Sequence, residues 1–328
     1  MRLTISPLVL FVSVVTFAVA LTGITAQAEE TREANVNDKK AVLVTGASSG
    51  LGRSITLRLA SEGYFVYAGA RKDRDLAELD KIENVESVRL DVTNQEDIDA
   101  AFGTIEKAGR GLYGLVNNAG VAVLQPLIEV EEKDFHFQMN VNLYGPYRIT
   151  KAFAPLILRS KGRITTISSI SGIVSDPFFG PYSMSKHAIE AFTDSLAGEL
   201  ARFDVKVSVV EPGGYKSRII DNMVERMAQS DESAPESLFD EELKQTIQTV
   251  IKRRESAGDP GDIADAVLHA LFDDKPKRRY LVVPGQRAAE QTIKAVIEKL
   301  VQLNQSHAYS YTRDELINML DELLGDYE

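Results

Sequence analysis

Seven short runs rich in Val, Ile, Leu, Tyr and Thr recur along the chain with helical patterns between them, at residues 41–45 (AVLVT), 64–69, 87–90, 112–116, 163–168, 205–210 and 279–283. This alternation constrains the fold more than any other feature. Near-continuous apolar runs of this kind belong to strands buried on both faces, and intervening helices are what covers both faces of a parallel sheet. The spacing predicts helices over 51–62, 95–108, 131–158 and 184–202, and one doubly wound α/β domain with a seven-stranded parallel sheet over 40–285.

Three segments fall outside that rhythm. Residues 216–258 form a long acidic and Ser-rich insertion before the last strand, with helical pattern around 219–229 and 240–254. Residues 286–328 form a helical C-terminal extension, where Ile293, Val296, Ile297 and Leu300, and then Leu316, Met319, Leu320 and Leu323, make apolar stripes suited to packing or to a subunit interface. The N-terminus begins with Arg2, runs through an apolar stretch from Leu8 to Leu21, and reaches the small-x-small site Ala26-Gln27-Ala28 before a polar linker over 29–39. It reads as a signal peptide over 1–28, which places the protein outside the inner compartment, periplasmic or secreted. The alternative is an uncleaved N-terminal anchor with membrane association, since Ile5–Ile24 approaches the length that spans a bilayer.

Charge and residue types exclude several functions. A formal net charge of −11 argues against nucleic acid as a partner. The chain has no cysteine, so disulfides and thiolate chemistry are absent, and the histidines at 136, 187, 269 and 307 show no metal-ligand spacing. No metal is expected.

The first strand runs directly into TGASSGLGR, with glycines at 46, 50 and 52. Glycines at a strand-to-helix corner allow a tight turn and let a phosphate approach the first N–H groups of the helix. No Lys-Ser/Thr pair follows, so this is not an ATP-binding loop. The second strand ends Gly69-Ala70-Arg71-Lys72, without the acid that usually binds a ribose 2′-hydroxyl. Two bases there suit a 2′-phosphate, which predicts NADP over NAD with Arg71 as the ligand.

Further along, Tyr182 and Lys186 stand four residues apart, one turn of a helix. Ser169 precedes Tyr182 by thirteen residues at the end of the fifth run. NNAG (117–120) closes the fourth run, Asn142 lies in NVNLYG, and the sixth run continues into Pro212, Gly213 and Ser217. A solvated Tyr–Lys pair alone would carry no chemistry; beside a serine hydroxyl it can trade protons.

TGxxxGxG, NNAG, the asparagine of NVNLYG, the serine thirteen before YxxxK, and PGxxxS occur together and in order. The chain thereby resembles the short-chain dehydrogenase/reductase superfamily, in its single-domain branch, over about residues 40–285. The resemblance implies a Rossmann fold and a catalytic set of Asn142, Ser169, Tyr182 and Lys186. Ser169 would bind the substrate oxygen, and Tyr182 would be acid in reduction and base in oxidation. Lys186 would hold the nicotinamide ribose and depress the tyrosine pKa, and Asn142 would hold a water that links Lys186 to solvent. Gly46, Ser48, Ser49, Gly50, Leu51 and Gly52 would line the phosphates and ribose; Asp91, Asn118 and Gly120 would flank the adenosine; Pro212, Gly213 and Ser217, with Tyr182 and Lys186, would seat the nicotinamide.

Within the superfamily, VEPGG, the long insertion and KPKRRYLVVPG look most like the retinol and 17β-hydroxysteroid dehydrogenase group. That implies an apolar alcohol or carbonyl substrate, with 216–258 as a lid and Phe178, Phe179, Tyr215, Ile219, Ile220 and Met223 as its wall. A homo-oligomer, dimer or tetramer, is also implied. An acyl-chain ketoreductase and a non-catalytic NADP-binding sensor are the alternatives. For the N-terminus, mass spectrometry of the mature protein should find Glu29 first; an intact Met1 in the membrane fraction would instead establish the anchor.

Overall fold

The computed structural model describes residues 40–228, 237–255, 257–305 and 307–325. The signal-or-anchor segment and linker expected over 1–39 lie outside them. β1 (Ala41–Val44), β2 (Phe65–Ala70), β3 (Val85–Arg89), β4 (Gly114–Asn117), β5 (Arg163–Ile167), β6 (Lys206–Pro212) and β7 (Arg279–Val282) form one sheet, in the order β3-β2-β1-β4-β5-β6-β7. Every pairing is parallel. The strand order reverses direction between β1 and β4, where a crevice opens at the carboxyl ends of the strands.

Each strand feeds both faces, because successive side chains point opposite ways. Leu43, Tyr67, Leu115 and Ile164 pack on one side with Ile98 and Ile105 of a helix over Gln95–Lys107 and Ile149 and Phe153 of a helix over Gly145–Ser160. Val42, Val44, Val66, Val116 and Val210 pack on the other side with Ile55 and Leu59, and with Ile263, Val267 and Leu271. The helices are α1 (Gly50–Ser61), α2 (Asp73–Leu79), α3 (Gln95–Lys107), α4 (Glu132–Met139), α5 (Gly145–Ser160), α6 (Gly180–Leu200), α7 (Ile219–Ala228), α8 (Asp240–Glu255), α9 (Gly261–Phe272), α10 (Gln286–Asn304) and α11 (Arg313–Gly325). α9 falls where the sequence reading names no helix; it buries Ile263, Ala264, Val267, Ala270 and Leu271 at three- and four-residue spacing and leaves Asp262 and Asp265 exposed.

Three local details differ from the sequence reading. The helix expected over 131–158 is α4 and α5 joined by a π-helical turn, Asn140–Tyr144, which carries Asn142. α6 begins at Gly180, with Pro181 in its first turn, four residues before the predicted start, so Tyr182 and Lys186 do share a helix. In the C-terminal extension, Thr292 is the one buried residue of α10, while Ile293 and Ile297 are each 51% exposed and Leu323 of α11 is 60% exposed. Those stripes are not buried within the described chain. The packing half of that expectation is thus corrected: α10 turns the neighbouring face, with Thr292, inward.

The crevice depends on one close approach. Gly46 and Gly50 have φ of +66° and +53°, which β-carbon-bearing residues rarely adopt. A Cβ on Gly52 would lie 2.2 Å from the Gly46 carbonyl oxygen and 2.4 Å from Asn118 Nδ2. α1 can enter at this angle only without a side chain there. Gly52→Ala should therefore cost about 1–3 kcal/mol of stability through overpacking, read as a lowered denaturation midpoint; an unchanged midpoint would show that the loop has slack.

Candidate active site

The site collects at the carboxyl ends of β1, β4, β5 and β6. Thr45, just past β1, is buried, and its Oγ1 accepts from the backbone N–H groups of Asn118 (2.9 Å) and Ala119 (3.0 Å). Asn118 Nδ2 donates to the Thr45 carbonyl at 2.8 Å and to that of Gly46 at 3.3 Å. NNAG and the glycine loop thus brace each other. Thr45 was not among the sequence candidates, since a lone Thr in a strand end reads as ordinary β-former. From β6, Ser217 comes close to the same loop, its Cα and Cβ each 3.3 Å from where a Cβ on Gly50 would stand. Gly213 N–H donates to the Val282 carbonyl at 2.8 Å, fixing Pro212-Gly213 against β7.

Asn142 has a role that its motif alone does not disclose. Its Oδ1 accepts from Val121 N–H (2.9 Å), and its Nδ2 donates to the Val121 carbonyl (3.0 Å) and to Ser185 Oγ (3.1 Å). Gln138 extends the same clamp, accepting from Val123 N–H at 2.7 Å and donating to the Val121 carbonyl at 2.9 Å. Two side-chain amides from α4 and the π turn thereby hold the chain after Gly120 as a strand partner would, and Ser185 Oγ passes the link to α6 by donating to the Tyr182 carbonyl at 2.7 Å. Gln138 and Ser185 also escaped the sequence reading; a buried amide one turn before Asn142 is the signal that could have found Gln138.

Ser169 is buried and caps the short turn after β5, its Oγ accepting from Ser171 N–H at 3.1 Å. Tyr182 is half-buried. Burial raises its phenol above the ordinary range, and a hydrogen bond with the Ser169 hydroxyl pulls it back in part. Lys186 is 6% exposed; its Nζ donates to the Ile167 carbonyl at 2.9 Å and stands 5.7 Å from the centre of the Tyr182 ring. Burial lowers its pKa to about 8, opposed by the charge of Glu190. The expectation that Lys186 depresses the tyrosine pKa is corrected for this state. The ammonium donates to the Ile167 carbonyl and stands over the ring, and desolvation governs the phenol. At neutral pH the phenol keeps its proton, as an acid must.

The rim at β2 and β3 carries the cofactor-selecting candidates. Arg71 is mostly exposed and meets Asp91 at a long 3.4 Å. Burial favours the neutral form of Asp91, but hydrogen bonds from Thr93 and then the Arg71 charge outweigh it and lower its pKa. Arg89 Nη1 donates to the Arg71 carbonyl at 2.6 Å, bringing a further guanidinium to the same corner. Gly120 is exposed beside Asn118, and Ser48, Ser49 and Leu51 are partly exposed on the loop.

A dinucleotide fits these residues. Ser49 precedes α1 without using its side chain as a cap, and the first turn of α1 has no acid, so its N–H groups remain for a phosphate. Gly46, Gly50 and Gly52 form a cradle that side chains would fill. Over the other side of the crevice, Ala122, Leu124 and Met223 are buried with Phe178, Phe179, Tyr182, Ile219, Ile220 and Val224 in one apolar cluster. Tyr215 packs elsewhere, in the sheet cluster with its hydroxyl donating to Asp262 at 3.1 Å, so it is not part of this wall.

Known proteins resemble the chain over most of its length. D-beta-hydroxybutyrate dehydrogenase, mitochondrial, of Rattus norvegicus is 34% identical, over 76% of this chain and 78% of that protein. Retinol dehydrogenase 7 of Rattus norvegicus is 35% identical, over 74% of this chain and 80% of that protein. A short chain dehydrogenase from Burkholderia cenocepacia, solved in complex with NADP, superposes with a TM-score of 0.61 at 25% identity, over 83% of this chain and 99% of that one. Residues 40–228, which supply the glycine loop, the clamp on Val121 and the Ser169–Tyr182–Lys186 group, match the family model described as short chain dehydrogenase, and the chain belongs to that family of oxidoreductases acting on hydroxyl groups.

Proposed function

We propose that the protein interconverts an apolar alcohol and its carbonyl compound with NADP(H). The observation that carries this reading is the buried Ser169–Tyr182–Lys186 group opening toward the apolar cluster of α7 and α8. Bound nicotinamide supplies or takes the hydride. Ser169 Oγ donates to the substrate oxygen and fixes it beside the phenol. In reduction, Tyr182 gives its proton to that oxygen as negative charge develops there; in oxidation it takes the proton back. Lys186, with a positive charge close to the phenol, offsets the phenolate left behind and offers its remaining donors to ribose hydroxyls. Asn142 and Gln138 keep the chain at 121–123 in place, and the residues around Met223 exclude water.

Substrate class follows from the wall. Phe178, Phe179, Ile219, Ile220 and Met223 are contributed by the loop before α6 and by α7, and Phe178 meets Phe239 edge to face just ahead of α8. Burying one methylene on such a surface is worth about 0.8 kcal/mol. This supports an apolar, retinoid- or steroid-like molecule over a short hydroxy acid. Arg71 and Lys72 at the tip of β2, with no acid among them, support NADP, and the Arg71–Asp91 contact is long and exposed enough for a 2′-phosphate to replace. Export or anchoring through the N-terminal segment and assembly as a homo-oligomer belong to the same proposal.

Tyr182→Phe should lower turnover by about 10²–10⁴-fold, the usual share of a general acid, with NADPH affinity unchanged in a fluorescence titration. Undiminished turnover would remove Tyr182 from the chemistry. NADPH binding by the unaltered protein without oxidation by any ketone or aldehyde in a broad panel would favour the sensor, and activity confined to acyl-carrier thioesters would favour the ketoreductase. Arg71→Ala should weaken NADPH about tenfold, or roughly 1.4 kcal/mol, while leaving NADH as it was; an equal loss for both would clear Arg71 of the 2′-phosphate role.

A further inference from the structure

The face of α6 that carries Tyr182 and Lys186 continues, at the same four-residue spacing, with Glu190 and Asp194. Glu190 is buried, and Glu211 near the end of β6 is buried more deeply, at 2% exposure. Arg279, the first residue of β7, enters between them. Its guanidinium donates to Glu190, to Glu211 at 2.7 Å, and to Asp194 at the surface. Arg278 also donates to Asp194, at 3.2 Å. Two buried carboxylates thus share one guanidinium, one helical turn from a buried ammonium.

Arg279 accounts for only half of Glu190. Its Oε2 receives the guanidinium, whereas Oε1 is buried without a hydrogen-bond partner. That oxygen faces Gly172, where a Cβ would lie 3.0 Å from it and 2.7 Å from Ser168 Oγ, another buried group without a partner. A buried carboxylate oxygen lacking a donor is costly unless its charge interacts with something. One helical turn back along α6 is the buried ammonium of Lys186, whose lowered pKa the Glu190 charge opposes. Glu211 is pushed up to about 7, first by burial and then by the Glu190 charge, with Arg279 pulling it back.

We propose that Glu190, locked by Arg279 and backed by Glu211, is the positioning residue that keeps Lys186 in its ammonium form at neutral pH. The groups facing this pair are Tyr182 and Asp194 from α6, Glu211 from β6, Arg278 and Arg279 from β7, and the hydroxyls of Ser168 and Ser169 after β5. The proposal extends the oxidoreductase reading, yet its primary test needs neither substrate nor cofactor.

The test follows the Lys186 signal by NMR in the full chain labelled with ¹³Cε-lysine, assigned by its loss in Lys186→Met. Glu190→Gln keeps the shape and an oxygen for Arg279 but removes the charge. Its Lys186 midpoint should fall by about one to two units, ten- to a hundredfold in proton affinity, as the loss of a charge one helical turn away at an effective dielectric near 20 requires. The alkaline fall-off of turnover should move down with it, and Glu190→Asp should restore most of both shifts. A purely structural Glu190 would lower the melting temperature and leave the midpoint where it was; an unmoved midpoint in folded Glu190→Gln overturns the proposal. Should that variant fail to fold, Glu190→Asp decides: its carboxylate is drawn back by one methylene, so the Lys186 midpoint should fall by a fraction of a unit, and an unmoved midpoint overturns the proposal. A shifted midpoint in a protein that turns over no alcohol or carbonyl would count against the oxidoreductase reading alone.

Discussion

The site rests on keeping one ammonium out of water. Lys186 sits almost wholly inside the molecule, and an ion there must be matched by oxygen and by charge or it will give up its proton. The Ile167 carbonyl supplies the oxygen, freed because β5 ends at that residue. Glu190, one turn further along α6, supplies the charge, and Arg279 on β7 holds it together with Glu211 of β6. Three strands and the helix that crosses them are therefore tied together around the cation. The phenol of Tyr182 is placed by the same helix, so its distance from Lys186 is set by helical geometry and not by loop conformation.

That dependence explains which parts were legible in the sequence. The seven strands were, since strands buried on both faces leave short apolar runs that alternate with helical patterns. The catalytic spacing was also legible, because Tyr182 and Lys186 share one helix and Ser169 ends the neighbouring strand. Contacts between distant segments were not. Arg279 lies 89 positions from Glu190 and 68 from Glu211, and no local pattern joins them. Thr45 and Gln138 were missed for the same reason, since each acts through a backbone group that only the fold brings near, and Ser185 because its distant partner is the side chain of Asn142. The pKa of Tyr182 was misjudged because spacing reports proximity, whereas the direction of a shift depends on desolvation and on where the lysine donates.

The helices α7 and α8 and the C-terminal helices show two fates of an apolar stripe. Met223 of α7 is 1% exposed against Ala122 and Leu124, so the stripe of α7 is satisfied across the crevice. Ahead of α8, Ser237 Oγ and the Leu238 N–H donate to the Glu129 carboxylate at 2.6 and 2.8 Å, which anchors the start of that helix to the loop before α4. Phe178, which joins this contact, has φ of +67°, a conformation that costs energy and is held by its carbonyl accepting from Gln125 N–H at 2.9 Å. α10 and α11, with equally regular stripes, leave theirs open. Periodicity identified each helix and was silent about what, if anything, would cover it.

The central claim is that the Ser169–Tyr182–Lys186 group serves an apolar substrate under that lid. The most direct measurement is kcat/KM for NADPH-dependent reduction along a series of straight-chain ketones of increasing length. The account predicts a rise of about fourfold per added methylene, the equivalent of roughly 0.8 kcal/mol each, until the apolar wall is filled. A flat series, or faster turnover of short carboxylate-bearing ketones than of any long one, would contradict it.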